Sequence, residues 1–164
     1  MKKTEAIKSK IYTLPSLLSA INGWRLKGLT IAFTNGCFDI LHEGHIFSLS
    51  KAASEADILI VGVNSDASTK RLKGNERPIN NEQSRALLLA SLVVVDAVVI
   101  FEEDTPLNLI NAILPNVLVK GGDYTIDQIV GAKEVIANGG NVVINNIVDG
   151  FSTTGIIGKI KSLG

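Results

Sequence analysis

Cysteine is almost missing from this chain. One thiol, Cys37, stands among 164 residues, which excludes an internal disulfide and points to a reducing compartment. An excess of charge is missing as well: sixteen Lys and Arg face sixteen Asp and Glu. No overall field therefore draws the molecule to nucleic acid or to an anionic membrane, and any anion binding has to be local. The longest apolar runs, such as 87–95, fall short of a bilayer span, and no apolar core with a cleavage site precedes the first predicted helix. The expectation is a cytoplasmic protein with neither a membrane nor a nucleic-acid partner. Four lysines near the start, Lys2, Lys3, Lys8 and Lys10, read as a solvated terminus, with an acidic partner as the alternative.

What the chain has in quantity is alternation. Short β-branched runs at 30–34, 58–63, 97–101, 117–120 and 141–147 are separated by segments of helical period at 45–55, 82–92, 106–114, 126–138 and 153–162. Val- and Ile-rich strands divided by helices predict parallel βαβ units with helices on both faces. The predicted fold is therefore α/β, a doubly wound parallel sheet of five strands in three layers. The length suits one domain over 1–164, with 1–28 as an N-terminal tail and a helix at 16–23. In such sheets ligands collect beyond the carboxyl ends of the strands, where the strand order reverses. The loops after each strand carry nearly all the unusual polar residues.

The first of these loops reads TNGCFDILHEGH and holds both histidines of the chain, His42 and His45, around Gly44. A strand-to-helix turn aims backbone N–H groups and the positive end of a helix dipole at what lies above it. Two imidazoles there predict a phosphate site, with Gly44 admitting close backbone approach and Asp39 and Gly36 assisting. A metal site is one alternative, although its remaining ligands would have to be carboxylates. Imidazoles that merely cap carbonyls are another.

The segment 64–81 concentrates Lys70, Arg71, Lys73 and Arg77 against Asp66 and Glu76, with Gly74 as a hinge. It reads either as a solvated loop or as mobile cations that reach a triphosphate. Arg85 either pairs with a carboxylate or faces the same anion. VKGGDY at 119–124 ends a strand in two glycines, reading as a plain turn or as a place where Gly122 admits a ligand and Asp123 accepts a sugar hydroxyl or a metal. DGFSTT at 149–154 puts Ser152 at a helix N-cap with Thr153 and Thr154 in the first turn, either a simple cap or a second phosphate-binding terminus. Asn35, Asn64, Asp66 and Lys120 complete the nucleotide-binding set expected from position. Two familiar signatures are missing: Ile156 stands where a P-loop spaced on Gly150 and Gly155 needs lysine, and no G-x-G-x-x-G follows the first strand.

GCFDILHEGH resembles the signature of the nucleotidyltransferases that carry an HxGH motif. Over about 29–161, the runs NSDASTKRLKG, RPIN, FEEDTP, LVKGGDY, KEVIANGG and DGFSTT resemble one branch, the heptose 1-phosphate adenylyltransferases. The resemblance implies a Rossmann-like nucleotidyltransferase fold. It implies that His42 and His45 hold nucleotide phosphates above Phe38 and Asp39, that Arg71, Lys73 and Arg77 are mobile cations, and that Ser152, Thr153 and Thr154 make a second phosphate contact. Ile147 and Val148 stand where glycerol phosphate cytidylyltransferases carry an arginine, a departure from that branch. Many relatives join this module to a sugar kinase domain; none lies in these 164 residues, so the heptose is expected to arrive already phosphorylated.

The implied reaction is AMP transfer from ATP to D-glycero-D-manno-heptose 1-phosphate, giving ADP-heptose and pyrophosphate for lipopolysaccharide core synthesis. His42, His45, Lys73 and Arg77 form the catalytic set. Mg²⁺ is expected to be held chiefly by ATP phosphates, with no dedicated protein metal site. A phosphate already dianionic near neutral pH needs no general base. A homo-oligomer is expected from the resemblance. The rival readings are a cytidylyltransferase acting on a polyol phosphate such as glycerol 3-phosphate, and a nucleotide sensor without chemistry.

Overall fold

Six short, mostly apolar runs hydrogen-bond into one all-parallel sheet, in a computed structural model that describes residues 5–146, 150 and 152–163. In chain order the elements are α1 (Glu5–Lys8), β1 (Ile11–Tyr12), α2 (Leu14–Leu26), β2 (Ile31–Gly36), α3 (Glu43–Ala53), β3 (Ile58–Asn64), α4 (Asp66–Lys73) and α5 (Glu82–Ala90). There follow β4 (Ala97–Phe101), α6 (Leu107–Ile113), β5 (Val117–Gly121), a 3-10 turn (Ile126–Gln128), α7 (Ala132–Ala137), β6 (Asn141–Asn145) and α8 (Thr153–Ser162).

Successive strand side chains point to opposite faces, so each strand feeds two cores. Ile31, Phe33, Ile60, Val99 and Leu118 pack with Leu17 and Ile21 of α2, Ile110 and Ile113 of α6, and Val135 of α7. On the other face Ala32, Leu59, Val61, Val63, Val98 and Val119 meet Leu49 and Ala52 of α3 and Ala86, Leu89 and Ala90 of α5. Burying both faces of a parallel sheet is why its strands read as continuous apolar runs.

The strand order is β1-β4-β3-β2-β5-β6. From β2 the chain steps to β3 on one side and later returns to β5 on the other, so the order reverses between β2 and β5. Pairing shows what happens there. β2 follows β3 along its whole length, from Ile31 opposite Ile58 to Gly36 opposite Val63. Against β5 it pairs only at Ala32 with Val117 and Phe33 with Leu118, whereas β5 stays on β6 as far as Gly121 opposite Asn145. The two central strands thus part after Phe33 and open a crevice at their carboxyl ends.

Three expectations are corrected. The sheet has six strands, not five: β1, two residues long, lies within the expected N-terminal tail and pairs with β4, and so short a strand shows no period to read. The segment expected as a loop between Asn64 and Asn81 contains α4. Ser65 caps that helix by accepting from the Ser68 amide, Asp66 opens it and Lys70, Arg71 and Lys73 close it, the charge order a helix dipole favours. The helix expected over 126–138 is broken at Gly131, whose φ of 86° continues no helix and whose missing Cβ makes room for Ile110.

Where β2 and β5 remain together, Asn116 closes the join: its amide donates to the Ile31 carbonyl at 2.9 Å and its Oδ1 accepts from the buried Ile31 amide at 2.9 Å. Asn116→Ala leaves that amide without a partner, which costs ~1–3 kcal/mol. Urea unfolding should show a lower midpoint with an unchanged slope; an unaltered midpoint would deny the side chain this role.

Candidate active site

The crevice is a cleft of about 630 Å³, within the range that holds small-molecule substrates. Asn35 and Gly36 of β2 form one lip and Lys120 of β5 the other. Lys120 Nζ reaches across the parted strands to donate to Asn35 Oδ1 at 3.3 Å. Burial, and to a smaller extent the Lys73 cation, hold the Lys120 pKa below the ordinary lysine range, against an opposing pull from Cys37. A desolvated ammonium with one neutral partner favours an anion beside it.

Above this lip lies the histidine turn. His42 is the N-cap of α3 and makes no side-chain cap bond, whereas Thr13, Ser65, Asn81 and Ser152 cap α2, α4, α5 and α8 with their own oxygens. The first turn of α3 is left to an external acceptor. Residues three apart share a helix face, so the imidazoles of His42 and His45 stack, centroids 3.8 Å apart and planes 25° from parallel. Phe38, at the left-handed φ of 47°, sets its ring edge-on to His45 at 5.3 Å. Both Nδ1 atoms are buried with no hydrogen-bond partner, a state rare for native polar groups and a mark of a site built for something else. Burial lowers the pKa of His42; burial, then the neighbouring His42 charge, lowers His45 to about 4.

The turn is fixed from behind by two ions. The Asp39 carboxylate, 1% exposed, accepts from Arg77 Nε at 2.6 Å and from the amides of Ile79 and Asn80, while Asn80 Nδ2 donates to its carbonyl. Burial alone would raise its pKa, but those amides and the guanidinium hold it below the ordinary value. Arg85, with no exposed surface, donates to the carbonyls of Cys37 and Asn80 and to Asp66 Oδ1 at 2.8 Å. Its two readings from sequence are thereby decided in favour of the structural pair.

The cleft wall includes His42, His45, Lys73, Arg77, Asn35, Gly36, Phe38, Asp39, Asn64, Lys120, Ser152, Thr153 and Thr154. Within this set Ser152 accepts from the Gly155 amide and Thr153 Oγ1 donates to the Ile40 carbonyl, so α8 is tied to the histidine turn. Five expected residues stand elsewhere. Gly44 lies a third of a turn round α3 from the histidine face. Asp66 is held by Arg85. Arg71 turns away to Asp104 and the Glu102 carbonyl. After β5 the chain reverses at Gly122, φ 134°, where a Cβ would meet the Tyr124 ring at 2.6 Å. That reversal brings Tyr124 rather than Gly122 or Asp123 to the cleft. Nor are Arg71 and Arg77 free: both are in ion pairs. Lys2, Lys3, Ile147, Val148 and Asp149 lie outside the described residues.

Sequence reasoning missed Leu72, Asp104, Thr105, Pro106, Tyr124, Gln128, Ile129 and Val130 on the wall. Most belong to FEEDTP or follow GGDY, directly after the carboxyl ends of β4 and β5, and that position was the available signal.

Fold and cleft together define a nucleotidyltransferase domain. The Cytidylyltransferase-like family matches residues 33–159, and the chain belongs to that family. It is 54% identical over 157 residues to the bifunctional protein HldE of Mesorhizobium japonicum, covering 96% of this chain and 32% of that protein. It is 61% identical over 137 residues to the HldE of Nitrobacter winogradskyi, covering 84% and 28%. The chain thus spans about a third of the length of these curated relatives. A crystal structure of the lipopolysaccharide core biosynthesis protein of Thermoplasma volcanium is 31% identical, with a TM-score of 0.59 over 74% of this chain and 98% of that one. A pantoate-beta-alanine ligase of Francisella tularensis, 19% identical over 83% of this chain and 66% of that one, shares the fold with a TM-score of 0.59.

Two outcomes follow. His45 titrates near 4 in the fold against 6.5 ordinarily, so on acidification the unfolded chain takes the proton first. Its contribution to stability is complete above about pH 6.5 and is lost as pH falls toward 4. Thermal melts should drop more steeply between pH 6.5 and 4.5 for the native protein than for His45→Gln; parallel curves would contradict the burial described. Arg85→Met leaves two carbonyls without their donor and Asp66 without its partner, a loss of ~2 kcal/mol readable in chemical denaturation, and a loss below ~1 kcal/mol would show that water replaces the arginine.

Proposed function

We propose that this chain is an adenylyltransferase that moves AMP from ATP to D-glycero-D-manno-heptose 1-phosphate, forming ADP-heptose and pyrophosphate for lipopolysaccharide core synthesis in the cytoplasm. The observation that carries the reading is the stacked pair of imidazoles on the cleft wall at the uncapped start of α3, with the lysines Lys73 and Lys120 on the same wall. Such a group of donors suits a polyphosphate. The sequence likeness to HldE proteins and to a lipopolysaccharide core biosynthesis protein supports the choice of pathway. Among the described residues no helix is long and apolar enough to cross a membrane.

An oxygen of the sugar phosphate attacks the α-phosphorus of ATP, forming one P–O bond as the bond from the α-phosphorus to the β-bridging oxygen breaks. The electron pair leaves with pyrophosphate. A phosphate of second pKa near 6 is largely dianionic at neutral pH, so the reaction needs positioning and charge stabilisation rather than a base. His42 and His45 donate to the triphosphate, where approaching negative charge raises their pKa and favours the imidazolium. Lys120 and Lys73 neutralise charge from either side, and Asp39 and Arg77 hold the turn. Thr154 and the start of α8 supply a further phosphate contact. Mg²⁺, carried on the phosphate oxygens, would add charge neutralisation. The same reading includes a homo-oligomer, a dimer or larger.

Pyrophosphate release from ATP, Mg²⁺ and a panel of sugar 1-phosphates tests this, with CTP and glycerol 3-phosphate as substitutes. The heptose phosphate with ATP should be preferred. His42→Ala and His45→Ala should each lower kcat by on the order of 10² to 10³ while the far-ultraviolet circular dichroism is kept. Silence with every acceptor would favour a sensor, and preference for CTP a cytidylyltransferase.

A further inference from the structure

FEEDTP is a motif of the resemblance to which no role has yet fallen, and the fold divides it in two. Phe101, Glu102 and Glu103 line a separate shallow hollow at the outer edge of the sheet. Glu103 is engaged there, its carboxylate accepting from its neighbour's amide and from Asn108, and its carbonyl accepting from Ser68. Asp104, Thr105 and Pro106 instead face the main cleft.

A carboxylate on the wall of an anion-binding cleft is out of place unless it meets hydroxyl or amine donors, since phosphate beside it is repelled. Asp104 is adapted to that position. Arg71 Nε donates to its Oδ1 at 2.6 Å, and Arg71 Nη2 is itself fixed on the Glu102 carbonyl at 2.6 Å. The guanidinium offsets the carboxylate charge and holds Oδ1, while Oδ2, on a half-exposed side chain, has no protein partner among the described residues. The floor behind is rigid: Asn64 Nδ2 donates to Ser68 Oγ at 3.0 Å, and Ser68 Oγ donates to the Glu103 carbonyl at 3.0 Å.

The two sides of the cleft differ in chemistry. Beyond β5 stand Tyr124, Ile129 and Val130, an aromatic and aliphatic wall suited to a planar base. On the side of β3 and β4 stand Asn64, Lys73, Asp104 and Thr105, with Leu72 and Pro106 among them, so that this wall carries the polar groups suited to a polyol and its phosphate. β4 is two strands from β2, about 10 Å across the sheet. Asp104 therefore lies beyond the grip on the phosphates, where the carbon skeleton of an acceptor would extend.

We propose that Asp104, aligned by Arg71, accepts hydrogen bonds from hydroxyls of the acceptor sugar and so determines which sugar phosphate is used. This rests on the adenylyltransferase reading. Asp104 is a specificity residue that touches substrate, and Arg71 is a positioning residue.

The test is steady-state kinetics with the parent sugar 1-phosphate and its monodeoxy analogues. Asp104→Ala should lower kcat/KM for the parent sugar by ~10- to 100-fold, the range for a hydrogen bond to a charged group, with KM for ATP unchanged. One deoxy analogue should suffer that loss with the native protein and no further loss with the variant. Arg71→Ala should give a smaller loss that disappears when Asp104 is already alanine. An equal loss for every analogue, or a change in KM for ATP or in the Mg²⁺ requirement, overturns the assignment of Asp104. A native protein inactive with every sugar 1-phosphate overturns the adenylyltransferase reading itself, which keeps the two failures apart.

Discussion

Everything in the cleft follows from the separation of β2 and β5 after Phe33. Below that point the strands pair and Asn116 completes their ladder; above it Asn35, Gly36 and Lys120 are released from mutual hydrogen bonding and become walls. A parallel sheet whose order reverses at this point cannot carry a connection over the gap, because the chain leaves β2 on one side and reaches β5 from the other. Lys120 is half-buried by its place in the sheet and has only Asn35 Oδ1 to bond among the described residues. Its unmet charge results from topology before it serves any chemistry.

Geometry at the gap is then fixed by ion pairs at and behind the cleft wall. Buried ion pairs contribute little net stability against an apolar alternative, but removing one partner is costly. Asp39 with Arg77 is of this kind, and Arg85, itself fully buried, reaches a partly exposed carboxylate at Asp66. Both act on the histidine turn, one through the carboxylate and backbone of Asp39 and the other through the Cys37 carbonyl. Between these two anchors sits Phe38 in the left-handed region, a conformation that costs a non-glycine residue energy and persists only where its surroundings over-determine it. With this backbone the Phe38 ring lies edge-on to His45, beside the stacked imidazole pair.

Much of this was legible in the letters, and the rest was hidden for identifiable reasons. The five longer strands announced themselves because burial on both faces forces continuous apolar runs, and the histidine turn because both histidines of the chain fall three apart after one of them. β1 was invisible because two residues have no period. α4 was hidden by its composition: DASTKRLK reads as a charged loop, and only the Ser65 cap and the charge order mark it as a helix. That Asp66 and Arg71 are held in ion pairs off the cleft wall could not be read from the letters, because partners nineteen and thirty-three residues away are set by folding alone. Asp104 and Tyr124 were overlooked although each follows a strand end, the very place where the fold concentrates function.

The division between the two kinds of cation is the deeper pattern. Three ion pairs occur among the described residues, Arg71 with Asp104, Arg77 with Asp39 and Arg85 with Asp66, and every one joins an arginine to an aspartate at or behind the cleft. Lys73 and Lys120, which face the cleft, have no carboxylate partner among those residues. Arginine stays charged when buried and holds a carboxylate with a planar fork, so it suits a permanent joint. Lysine is a compact charge on a flexible stem whose pKa yields to burial, so it suits a position where the counter-charge comes and goes. Had the roles been exchanged, a desolvated lysine in the place of Arg85 would tend to lose its proton and release the turn. With Asp104, Asp39 and Asp66 each paired to an arginine, Lys73 and Lys120 are left as the cleft cations whose charge an arriving anion would balance, and the same anion would favour protonation of the neutral stacked imidazoles.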